Sequence, residues 1–336
     1  MTAAARFPRI RRALIAAAIA LVATHAMLAL LCWISLPTLV RWGAAGIVAG
    51  TGIGALMRRG TRLPLRPVAI ASILVVEVAF LFKSPAAACW KLPQENGPTA
   101  RIAGNEITIE NFRYAKHRNP DEVAADVEWL TKTVDVSQIE SVELVIQNFA
   151  AWEGLAHAMV TFRQSSGEHI AFSVEARIPA GRGYHPLPGL FKAFQLIVII
   201  GDERDLLWKR LIDPAPRRMV IFPVDVTREQ AQDYFVSLVR RADALTRHPE
   251  FYDTLRANCM TTLVATAPDL DRRISALDYR LAVPGYSDEL FRELGLIHFE
   301  GSRDETHRRY SVPAEILPPD ECPDPASWSR QLRTKG

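Results

Sequence analysis

A chain of 336 residues with a formal net charge of +3 has room for one ordinary globular domain and a further segment. The charge is unevenly divided: residues 1–83 hold ten Lys/Arg against one acid, whereas residues 84–336 hold 30 against 36. The basic balance therefore belongs to the apolar N-terminal part, which excludes a nucleic-acid footprint on the remainder.

The first element is an apolar run from Ala13 to Leu36 without a charged residue. At about 1.5 Å per residue, about 20 such residues cross a hydrocarbon core of about 30 Å. The run continues through Leu30, Leu31, Cys32, Trp33 and Ile34 instead of ending at a small-residue cleavage site, so an uncleaved anchor is expected rather than a signal peptide. Trp42–Met57 and Pro67–Phe82 are shorter apolar stretches, expected as a second and third span. Arg6, Arg9, Arg11 and Arg12 precede the first span, and Arg58, Arg59, Arg62 and Arg66 lie between the second and third. Loops rich in Lys and Arg stay cytoplasmic. Three spans, or one, then carry everything after Lys83 to the outer side of the membrane. Glu77, near the outer end of the third stretch, is expected to reach the interface; His25 and Cys32 read as packing or lipid-facing residues.

The expected domains are a membrane region (1–83), a linker (84–100), a folded domain on the outer side (101–312) and a Pro-rich, irregular tail (313–336). Short strands begin at Glu106–Arg113 and continue at Val142–Asn148. Between Ala156 and Ile178, apolar residues alternate with polar ones on both sides of the turn Gln164–Glu168. That period of two predicts a half-buried β-hairpin with one core face and one polar face. His157 and Glu175 fall on the polar face, and a turn centred near Ser166 sets them nearly opposite one another. Gln195–Gly201 reads as a buried strand. Asp202–Ile212 reads as helical, with Asp202, Glu203 and Asp205 at its N-terminal end and Arg204 paired with one of them. Met219–Val226 reads as a strand, and Thr227 opens an amphipathic helix to about Leu245. Phe251–Thr266 is expected to be helical, with a break near Asn258–Cys259.

Three cysteines, Cys89, Cys259 and Cys322, lie beyond the membrane region. An odd number on an oxidising side suggests one pair and one free thiol. Cys89 and Cys322 flank the domain and are expected to pair, leaving Cys259 free. Asn258 is a good helix N-cap, so Cys259 would sit at a helix start, whose dipole and N–H groups favour the thiolate. His157 would take the thiol proton, and Glu175 would orient the imidazole and favour its protonated form. His169, on the same face nearer the turn, is the alternative to Glu175. His185, His248, His298 and His307 lack metal-ligand spacing, so neither a metal nor a cofactor is expected.

The segments His157–Phe162, Ser173–Arg177, Gly201–Asp205, Pro249–Leu255 and Asn258–Thr262 together resemble the Lnb N-terminal periplasmic domain family. The order of a histidine followed much later by Asn-Cys at a helix start is also similar to circularly permuted papain-like enzymes. The chain departs from the family pattern just after the cysteine, where Met260 stands in place of a threonine. The resemblance implies an α+β fold: N-terminal transmembrane helices followed by a circularly permuted papain-like domain with a mixed or antiparallel sheet packed on helices. It also implies a thiol acyltransferase in which Cys259 is the nucleophile, His157 the base and Glu175 the third member. The acyl group would come from a membrane lipid or lipoprotein and pass to an amine. Two other classes share these residues: a cysteine amidase or peptidase acting on cell-wall peptide, and a non-catalytic envelope protein that retains the fold.

Overall fold

The computed structural model describes residues 3–57, 65–118, 126–212 and 218–333. The chain forms two units: Met1–Ala86 with His185–Ala193, and Ala87–Tyr184 with Phe194–Gly336.

The first unit contains α1 (Ala3–Leu31), α2 (Thr38–Met57) and α3 (Leu65–Leu81). They share an apolar contact of Ala26, Leu30, Ala45, Val48 and Ile73. Among the described residues, one helical stretch, Leu14–Leu31, is both long and apolar enough to cross a membrane; Pro67–Leu81 is apolar but shorter. Of the three expected spans, length and composition thus support the first. Glu77 pairs with His25 instead of running to the interface alone: its Oε1 lies 2.8 Å from His25 Nδ1. An acid and an imidazole that meet each other's hydrogen-bonding need are tolerated together in an apolar bundle. The connection that joins this unit from His185 to Ala193 holds α4 (Pro186–Gly189). Within it, the Phe191 ring lies 5.3 Å from His25 and 6.4 Å from Phe80. Lys192 Nζ donates to the carbonyls of Phe80 and Leu81, placing a cation at the C-terminus of α3.

The second unit is built on a mixed sheet of eight strands. They are β1 (Thr99–Ala103), β2 (Glu106–Lys116), β3 (Asp126–Asp135), β4 (Ile139–Asn148), β5 (Ala156–Gln164), β6 (His169–Arg177), β7 (Gln195–Asp202) and β8 (Met219–Pro223). The order is β1-β2-β7-β6-β5-β4-β8, with β3 also paired to β2. Only β2 and β7 pair in parallel; the other pairings are antiparallel. The expected hairpin is β5–β6, in register from Met159↔Ser173 to Arg163↔His169. The helices are α5 (Glu203–Leu206), α6 (Trp208–Leu211), α7 (Arg228–Arg247), α8 (Cys259–Thr266), α9 (Ser287–Glu293), α10 (Arg303–Tyr310) and α11 (Pro325–Gln331). The fold is α+β, as the sequence implies.

One face of the sheet is covered by α7. Thr227 caps it in a capping box with Gln230, and Ala231, Phe235, Leu238, Val239, Ala242 and Leu245 are buried along one stripe. The Phe235 ring meets Phe162 and Phe172 edge-on at 5.3 and 5.4 Å. The opposite face of β5–β6 is not the solvated polar face that alternation predicts. Met159, Thr161 and Ser173 on that face are fully buried. Val145, Met159, Ala171, Ile197 and Ile199 pack there with Leu206, Leu207 and Trp328. The cover comes partly from the Pro-rich tail, which is not irregular throughout. Asp324 caps α11, and Trp328 of that helix lies fully buried with its Nε1 donating to Leu317 O at 2.9 Å. Once this face is dry, every charged side chain on it needs a partner, and the sequence supplies them as ionic clusters.

Candidate functional site

The helix that carries Cys259 begins where its cap requires. Asn258 Oδ1 accepts from the backbone N–H of Thr261 at 2.9 Å, and Thr261 Oγ1 accepts from the N–H of Asn258 at 2.8 Å. The Asn258 amide also donates to the carbonyls of Thr254 and Leu281. Upstream, Asp253 and Ala257 exchange backbone hydrogen bonds in both directions. The expected long helix is thus a looped segment followed by α8, with the break where Asn258 sits. Cys259 is the first helical residue and is 6% exposed. Burial pushes its thiol above the ordinary value, although the N–H groups of Ala158 and Met260 favour the thiolate. Burial therefore overrides the helix-start effect that the sequence emphasises.

His157 is the second residue of β5, beside Ala158, the residue whose N–H bears on the sulfur. Continuing the β5–β6 register two residues past Met159↔Ser173 sets His157 opposite Glu175. The link between them is Ser173. His157 Nε2 is 2.9 Å from Ser173 Oγ, which donates to Glu175 Oε1 at 2.8 Å. A hydroxyl that gives its proton to the carboxylate must accept from the imidazole, so Nε2 carries the hydrogen and Nδ1 keeps its lone pair. Among the described residues, no hydrogen bond joins Nδ1 to a partner or the thiol to the ring. Arg210 donates to Glu175 Oε1 at 2.8 Å and to Ser173 Oγ at 3.2 Å. Gln94 donates to Glu175 Oε2 at 2.7 Å. Burial would raise the Glu175 carboxyl, but Arg210, Arg113 and Lys209 together hold it well below the usual carboxylate range. Burial, joined by Arg210, pushes His157 down to about 3 against the pull of Glu175. The imidazole is thus neutral at pH 7, where Glu175 alone would favour the protonated ring.

Ser173, Arg210 and Gln94 carry no sequence signal of their own. Ser173 lies on the alternating face two residues before Glu175, and Arg210 arrives on α6. Gln94 comes from a 3₁₀ turn, Leu92–Gln94, inside the expected linker. Its side chain also bonds Ala176 O and Ile178 N, which fixes the segment against the end of β6. His169 is placed elsewhere: its Nε2 lies 3.5 Å from Glu143 Oε2 at the far end of the hairpin. There Glu143, His169 and Glu203 hold ligand atoms within 4.8 Å of one another, and Arg333 bonds both carboxylates. The protein's own guanidinium supplies the cation at this point.

The acidic segment behaves as expected at Asp202, which caps α5 and pairs with Arg204 at 2.8 Å. Asp205 is fully buried and joins Arg113, 2.7 Å away, and His117, 2.9 Å away. The expected Cys89–Cys322 bridge is not formed: all four cysteines are free thiols. Cys89 is exposed, with its carbonyl accepting from Ala180 N, while Cys322 packs against the cluster under Trp328. Each thiol is held by different neighbours, so flanking the domain in sequence does not bring them together.

Residues 125–288 match the family described as Lnb N-terminal periplasmic domain. The match includes His157, Ser173, Glu175, Arg210 and Cys259, and leaves Gln94 and Arg333 outside. No curated protein and no solved structure matches the chain.

Proposed function

Because residues 125–288 make this chain a member of the Lnb N-terminal periplasmic domain family, we propose that it is a periplasmic thiol acyltransferase anchored in the inner membrane. The family and the apolar helix Leu14–Leu31 fit a membrane-anchored periplasmic protein. The observation that carries the chemical reading is the placement of Cys259 at a capped helix start, against the backbone of β5, whose His157 begins the relay to Ser173 and Glu175 on β6.

Both the thiol and the imidazole start neutral, so the first step is general-base catalysis rather than attack by a preformed thiolate. His157 Nδ1 accepts the thiol proton as Sγ bonds to the ester carbonyl carbon of a lipid. Nε2–H stays on Ser173, and Glu175 stabilises the imidazolium through that hydroxyl. N–H groups at the start of α8 receive the developing oxyanion. The ester C–O bond breaks, and His157 returns its proton to the departing alkoxide. A neutral amine then attacks the thioester, the C–S bond breaks, and the amine proton passes through His157 to the sulfur. The permuted papain-like arrangement implied by the resemblance belongs to the same proposal.

Intact-mass measurement of the full chain after incubation with phospholipid vesicles tests it. The expected result is an acyl adduct on the wild type that is absent in Cys259→Ser and strongly reduced in His157→Gln. A wild type that gains no adduct, but cleaves cell-wall peptide in a Cys259-dependent manner, would replace the proposal with the amidase reading.

A further inference from the structure

Ten large apolar side chains are exposed among the described residues of the sheet-bearing unit. Six of them, Phe149, Trp152, Leu155, Leu255, Leu277 and Tyr279, lie on three loops. Leu277 is 94% exposed and Leu255 is 56% exposed. Scattered exposed apolar residues need no explanation, but a contiguous group marks a contact surface.

Backbone bonds gather these loops. The turn between β4 and β5 is closed by Phe149 N–H donating to Leu155 O at 3.3 Å. Gly285 N–H donates to Gly154 O at 3.3 Å, which ties that turn to the segment after Leu277. A Cβ at Gly285 would fall against the Glu153 carbonyl, so only glycine permits this approach. Asn258 Nδ2 donates to Leu281 O at 3.0 Å, which brings in the loop that bears Leu255. The three loops therefore ring the end of the sheet at which β5 begins, one residue before His157, and α8 starts with Cys259.

We infer that this rim is a bilayer-contact surface whose loops insert into the interfacial layer of a membrane. The same chain carries the Leu14–Leu31 helix, which is long and apolar enough to cross a membrane and, inserted, would keep the sheet-bearing unit tethered to a bilayer. The composition of the rim also suits that medium. Trp152 and Tyr279 are amphipathic rings of the kind found at headgroup level, and Leu255 and Leu277 are aliphatic tips for the acyl boundary. Arg256, exposed next to Leu255, adds a cation that suits anionic headgroups. A rim of this kind would admit an acyl chain to the site without passage through water. The inference does not depend on the cysteine chemistry, because it concerns where the loops reside.

Spin-label accessibility in the full chain separates the two. Native cysteines, Cys259 included, are replaced by Ser, and a nitroxide is attached at Leu255→Cys or Leu277→Cys. Controls at Leu130→Cys and Leu317→Cys probe exposed apolar positions away from the three loops. The protein is placed in nanodiscs of phosphatidylethanolamine and phosphatidylglycerol. The expected result is a several-fold higher ratio of oxygen to nickel-chelate collision at 255 and 277 than at 130 and 317. Equal, water-like ratios at all four positions would overturn the inference. So would dipolar broadening between labels at 277 in detergent and discs alike, which would assign the rim to a second copy of the chain. All the labelled positions are surface sites, and tryptophan fluorescence of the cysteine-free background, which replaces the buried Cys32 and Cys259, checks that the fold is kept before labelling.

Discussion

The two ends of the β5–β6 hairpin carry the same residue types and are finished differently. At the turn end, His169 faces Glu143, and Arg333 joins Glu143 to the fully buried Glu203. At the other end, His157 reaches Glu175 through Ser173, and Arg210 lies on both. The turn end sets two carboxylates against one guanidinium. The cysteine end sets one carboxylate against Arg210, with Arg113 and Lys209 also bearing on it. A cluster that depends on a single cation is a clamp, here fastening α11 to the sheet. A cluster with more than one cation bearing on its carboxylate can lose or shift one contact and keep Glu175 ionised, which is what the proposed site would require.

The largest effect follows from that asymmetry. Arg333→Ala should leave Glu143 and Glu203 facing one another without their cation and cost about 3–5 kcal/mol. Arg210→Ala removes one of several cations near Glu175 and should cost about 1–3 kcal/mol. Denaturant unfolding of the chain in detergent, followed by tryptophan fluorescence, compares the two. An Arg210 variant as damaged as the Arg333 variant would remove the distinction. The pH dependence adds a second check on the clamp. Burial opposes ionisation of Glu143, but Arg333 and His169 hold it down to about 2. Its contribution is therefore complete above the ordinary glutamate range and lost as pH falls towards 2. The gap between wild type and Arg333→Ala should be widest at neutral pH and narrow as acid is added.

At the cysteine end the histidine is held neutral where Glu143 is held charged, yet its contribution to stability is lost in the same direction, as pH falls. His157 is held at about 3, below its ordinary value of 6.5. Below about pH 6.5 the unfolded chain takes up a proton that the native ring refuses. Stability attributable to this group is therefore present above 6.5 and falls with pH across the interval down to about 3. The slope for one such group is about 1.4 kcal/mol per pH unit. His157→Gln should flatten the acid limb by about one proton over that interval. An unchanged limb would mean that the imidazole protonates freely in the native chain, and the neutral-base mechanism would lose its ground.

How much of this was legible in the sequence depended on whether the cause was local. The hairpin announced itself through alternation and a Ser-Gly turn, and its register placed His157 opposite Glu175. Asn258 announced the start of α8 through its own capping chemistry. What stayed hidden depended on distant chain. The polar face of β5–β6 looked solvated because the residues that cover it, Leu206, Leu207 and Trp328, lie far downstream. Arg210 stands 35 residues from its partner Glu175, and Gln94 comes from a stretch whose composition reads as a linker. The protonation states depart from the expected ones for the same reason. A helix start is visible in six residues, whereas the desolvation that outweighs it exists only after the whole domain has closed.

The smallest expected effect bears most directly on which histidine belongs to the site. His169 makes one hydrogen-bond contact, from Nδ1 to Gly167 O at 3.1 Å. Its buried Nε2 lies 3.5 Å from Glu143 Oε2, a long contact on a carboxylate that Arg333 already bonds. Glutamine keeps an amide donor and gives up the long approach to Glu143, which Arg333 still holds. His169→Gln should therefore cost about 1 kcal/mol or less and leave acylation of Cys259 unchanged, because Ser173 connects Glu175 to His157 alone. Intact-mass assays of His169→Gln and His157→Gln side by side give the contrast. If His169→Gln abolished the adduct and His157→Gln kept it, the working end of the hairpin would be the turn end, and the Arg333 cluster would have to be read as part of the chemistry.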